Sequence, residues 1–274
     1  MEEATTKKIA VLIDAENISQ KYAKLALDEA ARFGTVICKR IYADWSASTA
    51  LSWRKSVMDY SIHPIQQFAN TVGKNSTDSA MIIDAMDLLH EGKLQGFCLI
   101  SSDSDFTRLA SRLREAEMLV VGMGEQKTPA SFINACDKFL YLDNLLKDQK
   151  QEAIPEKTAK TKAKSNDKAP SAAGFAGSAK AVEHDDTLKL GMNKEEIIKA
   201  IAELVDENSD EEGWYFMGAL GGQLSSRYPD FDSRNFGFSK LTAFVNSLGI
   251  YELRSDTNPS NASLKLVYVR RKQA

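Results

Sequence analysis

The strongest constraint on this chain is an apolar run that ends in an acid. Lys8–Asp14 reads KIAVLID, with no polar alternation, the pattern of a strand covered on both faces. Such strands occur in parallel sheets between two layers of helices, and the next 130 residues supply the rest of one. Ile18–Phe33 has helical spacing of Tyr22, Leu25, Ala26 and Ala30 and stops at Gly34. Thr35–Ala43 predicts the second strand and Ala50–Tyr60 a helix. Ile62–Phe68 predicts a third strand, at an edge because it contains Pro64. Helix Ser79–His90, strand Phe97–Ser101, helix Phe106–Ala116 and strand Met118–Met123 follow, and a short helix starts at Pro129. The alternation predicts a mostly parallel α/β sheet with helices on both faces over residues 1–146.

Beyond residue 146 the composition changes. Residues 147–190 are rich in Lys, Ala, Ser and Pro, carry a net charge of +2 and show no apolar periodicity. Such a stretch cannot bury enough surface to offset its ordering entropy, so a flexible linker is expected. Residues 191–274 form a third segment. Lys194–Asp206, Met217–Arg227 and Phe236–Ser247 predict helices, and Ile250–Arg254 with Leu264–Arg270 a hairpin. Three helices and a hairpin suggest a small α+β winged-helix domain.

Charge excludes one class of partner binding. The net charge is -3, with -3 in residues 1–146 and -2 in residues 191–274, so nucleic acid cannot be held by bulk positive charge. Cys38, Cys98 and Cys136 lie in apolar segments, which predicts buried thiols in a reducing compartment, hence a cytoplasmic protein. The three histidines are far apart and fit no zinc spacing. The first residues, MEEATTKKIAVLID, do not read as a signal peptide, and no apolar run reaches membrane-spanning length.

The informative residues are acids at predicted strand ends, where open parallel sheets bind ligands. Asp14 closes the first strand, with Asn17 three residues on. Asp103 and Asp105 follow the fourth strand, and Asp78 opens the third helix. The topology can gather all four at one edge. Crowded carboxylates repel unless a cation lies among them. Oxygen donors with water suit Mg2+ or Mn2+, which can activate water and offset charge building on a phosphate. Asn17 could hold a water or a phosphate oxygen, and Lys74, the base beside the acids, could contact the scissile phosphate. Each acid alone also has a plain reading as a strand end, first-turn acid or helix cap. Asp84, six residues beyond Asp78, points elsewhere on its helix.

IDAEN, KNSTDSAMIIDAM and LISSDSDFTRLASRLREAEMLVVGMG, in that order over residues 7–146, resemble the NYN domain of the PIN-like nuclease superfamily, LabA-like branch. The resemblance implies a PIN-like sheet, a Mg2+ or Mn2+ site and cleavage of RNA. By position it makes Asp14, Asp78, Asp103 and Asp105 the catalytic and metal-binding acids, with Asn17 beside Asp14. Ser101 and Ser102, next to Asp103, are the expected substrate contacts. Many relatives have Gly before the Asn of the first motif, where this chain has Ala15-Glu16. The run YPDFDSRNFGFSKLTAFVNSLGIYEL (Tyr228–Leu253) resembles the OST-HTH/LOTUS domain, a match spanning about residues 192–271. It implies a winged helix that binds RNA or docks a protein partner. Its exposed basic candidates for RNA are Arg234, Lys240, Lys265, Arg270 and Arg271, opposed by the acidic string Asp206–Gly213. A metal-dependent ribonuclease with a reader domain is one reading. A non-catalytic RNA-binding or adaptor protein that keeps the nuclease fold is the other.

Overall fold

The computed structural model describes residues 6–68, 76–152, 194–258 and 261–272. The first domain is built on a six-stranded sheet in the order β3-β2-β1-β4-β5-β6, parallel throughout. Its strands are β1 (Lys8–Asp14), β2 (Thr35–Ala43), β3 (His63–Gln66), β4 (Gly96–Ile100), β5 (Leu119–Gly124) and β6 (Lys138–Tyr141). The helices between them are α1 (Ala23–Ala30), α2 (Arg54–Asp59), α3 (Ser76–His90), α4 (Thr107–Glu115) and α5 (Ala130–Ala135), with α6 (Leu142–Glu152) closing the domain.

The period of two along β1 sorts its side chains into two cores. Ala10 and Leu12 join Met81, Leu99, Phe106 and Phe139 on one face. Ile9, Val11 and Ile13 join Leu25, Ile41, Trp53 and Val121 on the other. Burial on both faces is why the strand reads as an unbroken apolar run. Pro64 does lie in an edge strand, β3. Gly34 permits close approach rather than an unusual backbone angle, because a Cβ there would meet the Lys7 carbonyl oxygen at 2.2 Å.

The expected helix 18–33 is divided into a 3₁₀ turn at Gln20–Tyr22 and α1, and the helix 50–60 into a 3₁₀ turn and α2. β6 and α6 lie beyond the last predicted helix. KFLY is too short to show a period, and the apolar part of LDNLLKDQKQE gives way to the polar composition read as linker. α6 carries regular structure to Glu152, six residues into the expected linker; the remainder of that segment lies outside the described residues. Cys98 and Cys136 are buried and Cys38 is half-buried, all as free thiols. Burial pushes Cys98 up to about 12. Among the described residues no helix is long and apolar enough to cross a membrane.

The second domain comprises α7 (Lys194–Asn208), β7 (Tyr215–Phe216), α8 (Met217–Arg227), α9 (Leu241–Ser247), β8 (Tyr251–Asn258) and β9 (Asn261–Arg271). α8 has the bounds expected for the second helix, and β7, just before it, adds a third strand to the expected hairpin, in the antiparallel order β7-β9-β8. The expected helix 236–247 is shorter. Asp232 caps a 3₁₀ turn at Ser233–Phe236, and Gly237 breaks it in the left-handed conformation at φ 79°. Ile197, Ile201, Leu220, Leu224, Phe244 and Val269 form the core. Phe236 stacks on Phe244 at 4.9 Å.

Candidate active site

The strand order reverses direction between β1 and β4, one leading to β2 and β3, the other to β5 and β6. At such a switch point the loops leave in opposite directions and open a crevice beyond the carboxyl ends of the strands. Asp14, the last residue of β1, and the Ser101–Asp105 segment after β4 flank this crevice. Asp78 enters from the first turn of α3.

Asp14 is 1% exposed and both of its oxygens are occupied. Oδ1 accepts the backbone N–H groups of Glu16 (3.0 Å) and Asn17 (3.1 Å). Oδ2 accepts the Ser101 hydroxyl (2.7 Å) and the Asn17 side-chain amide (2.9 Å). Burial still raises its pKa, against the lowering effect of these bonds. The Asn17 amide also reaches Asp103 Oδ2 at 3.4 Å, so Asn17 spans two carboxylates from distant parts of the chain. Asp103 also caps the turn that follows it: its Oδ1 accepts the Asp105 N–H at 3.0 Å. Asp105 itself is exposed.

Asp78 is buried to 7% exposure. Burial first, then the charges of Asp14, Asp103, Asp105 and Glu16, push its carboxyl up to about 7. The same influence records that all four expected acids share one region. Glu16, the residue that departs from the usual first motif, is exposed and accepts the Thr77 hydroxyl at 3.0 Å. It therefore ties the loop after β1 to the start of α3.

Ser101 and Ser102 are both buried and face inward rather than toward a substrate. Ser101 Oγ donates to Asp14 and accepts the Asp103 N–H at 3.0 Å, making it the strut between β1 and the β4 loop. Ser102 Oγ accepts the Glu125 N–H at 2.9 Å and braces that loop from β5. Gly124 belongs to the same brace, since a Cβ there would sit 2.6 Å from the Ser101 carbonyl oxygen. Gly124→Ala is expected to destabilise the chain by about 1–3 kcal/mol, measured by chemical denaturation, because neither backbone can give way without moving the carboxylates.

Asp84 stands apart, as expected. It pairs with the Arg40 guanidinium and accepts the Tyr42 hydroxyl. Lys74 lies outside the described residues. Lys240 and Lys265 are exposed on the second domain. Arg234 is not available in the way expected: it is held by Asp232 and by Glu29 of the first domain. Arg270 pairs with Glu252 at 2.8 Å and Arg271 with Asp206 at 2.9 Å.

The donor set around Asp14 is all oxygen, which suits a hard divalent cation better than zinc. A cation among these acids would favour the charged form of Asp78, which burial and then its acidic neighbours disfavour. As the side chains stand, no three acids, histidines or cysteines among the described residues are drawn close enough together to hold an ion. The donor chemistry fits a cation, and the side chains would have to close further around it.

An NYN family model matches residues 8–143, and an OST-HTH/LOTUS family model matches residues 189–261. The chain carries an NYN domain followed by an OST-HTH/LOTUS domain. NYN domains are PIN-like nuclease domains, and the pair supports a nuclease or RNA-binding role. A crystal structure of a protein of unknown function from Vibrio parahaemolyticus is similar at 18% identity, with a TM-score of 0.44. The match covers 52% of this chain and 96% of that one. No curated protein matches the chain.

Proposed function

We propose that the chain is a divalent-metal-dependent ribonuclease. Its NYN domain would hydrolyse RNA phosphodiesters, and its OST-HTH/LOTUS domain would hold the RNA or a protein partner. The observation that supports this reading is the position of Asp14, Asp78, Asp103 and Asp105 about the β1/β4 switch point, where burial first and then the charges of the neighbouring acids raise Asp78 to about 7. These four acids would hold Mg2+ or Mn2+. When bound, the ion would supply positive charge for the phosphodiester and lower the pKa of an attacking water. The protein's own groups have distinct tasks. Asn17 and Ser101 tie Asp14 and Asp103 to each other, which limits how far these two carboxylates would have to move around an ion. Asp78, raised to about 7 by burial and then by its neighbours, would be drawn to its ionised form by positive charge entering the crevice. Lys74 would contact the phosphate, and the exposed Lys240 and Lys265 would draw RNA to the second domain. Free thiols without a disulfide suit the cytoplasm.

The test is cleavage of mixed RNA in Mn2+. Asp103→Asn removes a carboxylate charge while leaving an oxygen to cap the following turn, and it is expected to reduce the rate by about a hundredfold or more. Cleavage that survives this change would sink the proposed site. Wild-type protein that binds RNA but does not cut it in either metal would establish the alternative, an RNA-binding or adaptor protein retaining the nuclease fold.

A further inference from the structure

Helix α1 contains an acid that its own domain does not explain. The Glu29 side chain is 4% exposed, and its buried companions on the helix are Ala23, Leu25, Ala26 and Ala30. A carboxylate in such a place needs a strong partner. The NYN domain offers Arg32, which is 65% exposed and 3.4 Å away. The better partner lies 205 residues along the chain: Arg234 of the OST-HTH/LOTUS domain donates to both Glu29 oxygens, at 3.0 and 3.3 Å. Asp232 holds the same guanidinium from behind, at 2.7 Å. Arg234 outweighs the effect of burial on Asp232 and keeps its carboxyl below the usual range.

Three further contacts surround this fork. The Tyr141 hydroxyl donates to Asp230 at 2.8 Å in a buried position. The Asn144 amide donates to Asn235 at 3.4 Å. The Phe139 N–H donates to the Pro229 carbonyl at 2.7 Å. Phe139 belongs to β6, the edge strand, so the second domain supplies an acceptor at the edge of the sheet.

We propose that the Pro229–Asn235 segment is a docking element for the chain's own NYN domain. The complementary surface is the edge of β6 together with Glu29, Tyr141 and Asn144. The fit is one of charge as well as shape, a buried anion facing a planar two-pronged cation. Because both surfaces belong to one chain, the docking is intramolecular and needs no free partner. The reader and the candidate nuclease therefore move as one body. RNA or protein bound by the second domain must use a face other than this turn, such as that bearing Lys240 or Lys265.

Hydrogen exchange of the full-length protein tests this without reference to cleavage. In the wild type the Phe139 amide should be protected, to the same degree at all protein concentrations. Glu29→Ala and Arg234→Ala should each speed its exchange about tenfold or more, with amides of β1 and α8 unchanged. If Arg234→Ala also loosens α8, Glu29→Ala decides, since it leaves the second domain untouched. A Phe139 amide that exchanges freely in the wild type, or one unaffected by Glu29→Ala, overturns the proposal. Protection that grows with protein concentration would mean docking between copies and overturns it equally.

Discussion

Replacing Asp78 with Asn is expected to stabilise the metal-free protein above pH 7 while reducing RNA cleavage by about a thousandfold. Both effects come from one property, a carboxyl that burial and four neighbouring acids push up to about 7. In the unfolded chain this group loses its proton near pH 4. Between these two values the folded state binds more protons than the unfolded state, so stability falls as pH rises. Its contribution is complete below pH 4 and is lost as pH passes 7. At about 1.4 kcal/mol per pKa unit the loss is on the order of 4 kcal/mol, an upper bound in a crevice that water can enter. The substituted side-chain amide does not titrate, so the variant should escape this decline. Thermal unfolding in a chelator at pH 5 and pH 8 measures it, with the variant and wild type diverging at the higher pH. Saturating Mn2+ should raise the wild-type midpoint at pH 8 and leave the variant's nearly unmoved. Equal pH dependence in the two proteins would contradict this account of Asp78.

Phe106→Ala should produce the largest loss of stability, about 3–5 kcal/mol in chemical denaturation. Phe106 is fully buried, one residue beyond Asp105, and packs with Phe132 at a centroid distance of 6.4 Å. It anchors the SSDSDF segment into the core shared by β1, α3 and α4. A cavity there removes the support beneath Asp103 and Asp105. Cleavage should therefore fall further than the remaining folded fraction explains, which comparing rate with circular dichroism at the same temperature would reveal.

The candidate site was the most legible part of this chain, because it follows from strand ends. An apolar run fixes where β1 stops, and the residue that stops it is Asp14; the same logic puts Ser101–Asp105 after β4. The crevice needs no long-range information beyond the order of parallel strands. What sequence did not reveal depends on partners distant in the chain. Ser101 looked like a substrate contact, but its hydroxyl is consumed between Asp14 and Asp103. Arg234 looked like an exposed base, yet its partner Glu29 sits in a helix whose pattern shows only a plain amphipathic stripe. The signal for that pair was faint: Glu29 falls among alanines on the buried side of α1. β6 and β7 have four and two residues, too few to show a period of two, and both are defined by the strands they join.

The ends of the large sheet bear on how the protein behaves when concentrated. A parallel sheet normally exposes a row of unsatisfied amides and carbonyls along each outer strand, a template on which another chain can add. Here one outer strand, β3, is four residues long and includes Pro64, which has no N–H to offer. The other, β6, is equally short, and its Phe139 amide is taken by Pro229. Neither margin offers a long ladder for strand addition, so the sheet is guarded against edge-to-edge aggregation by brevity, one imino acid and a neighbouring domain.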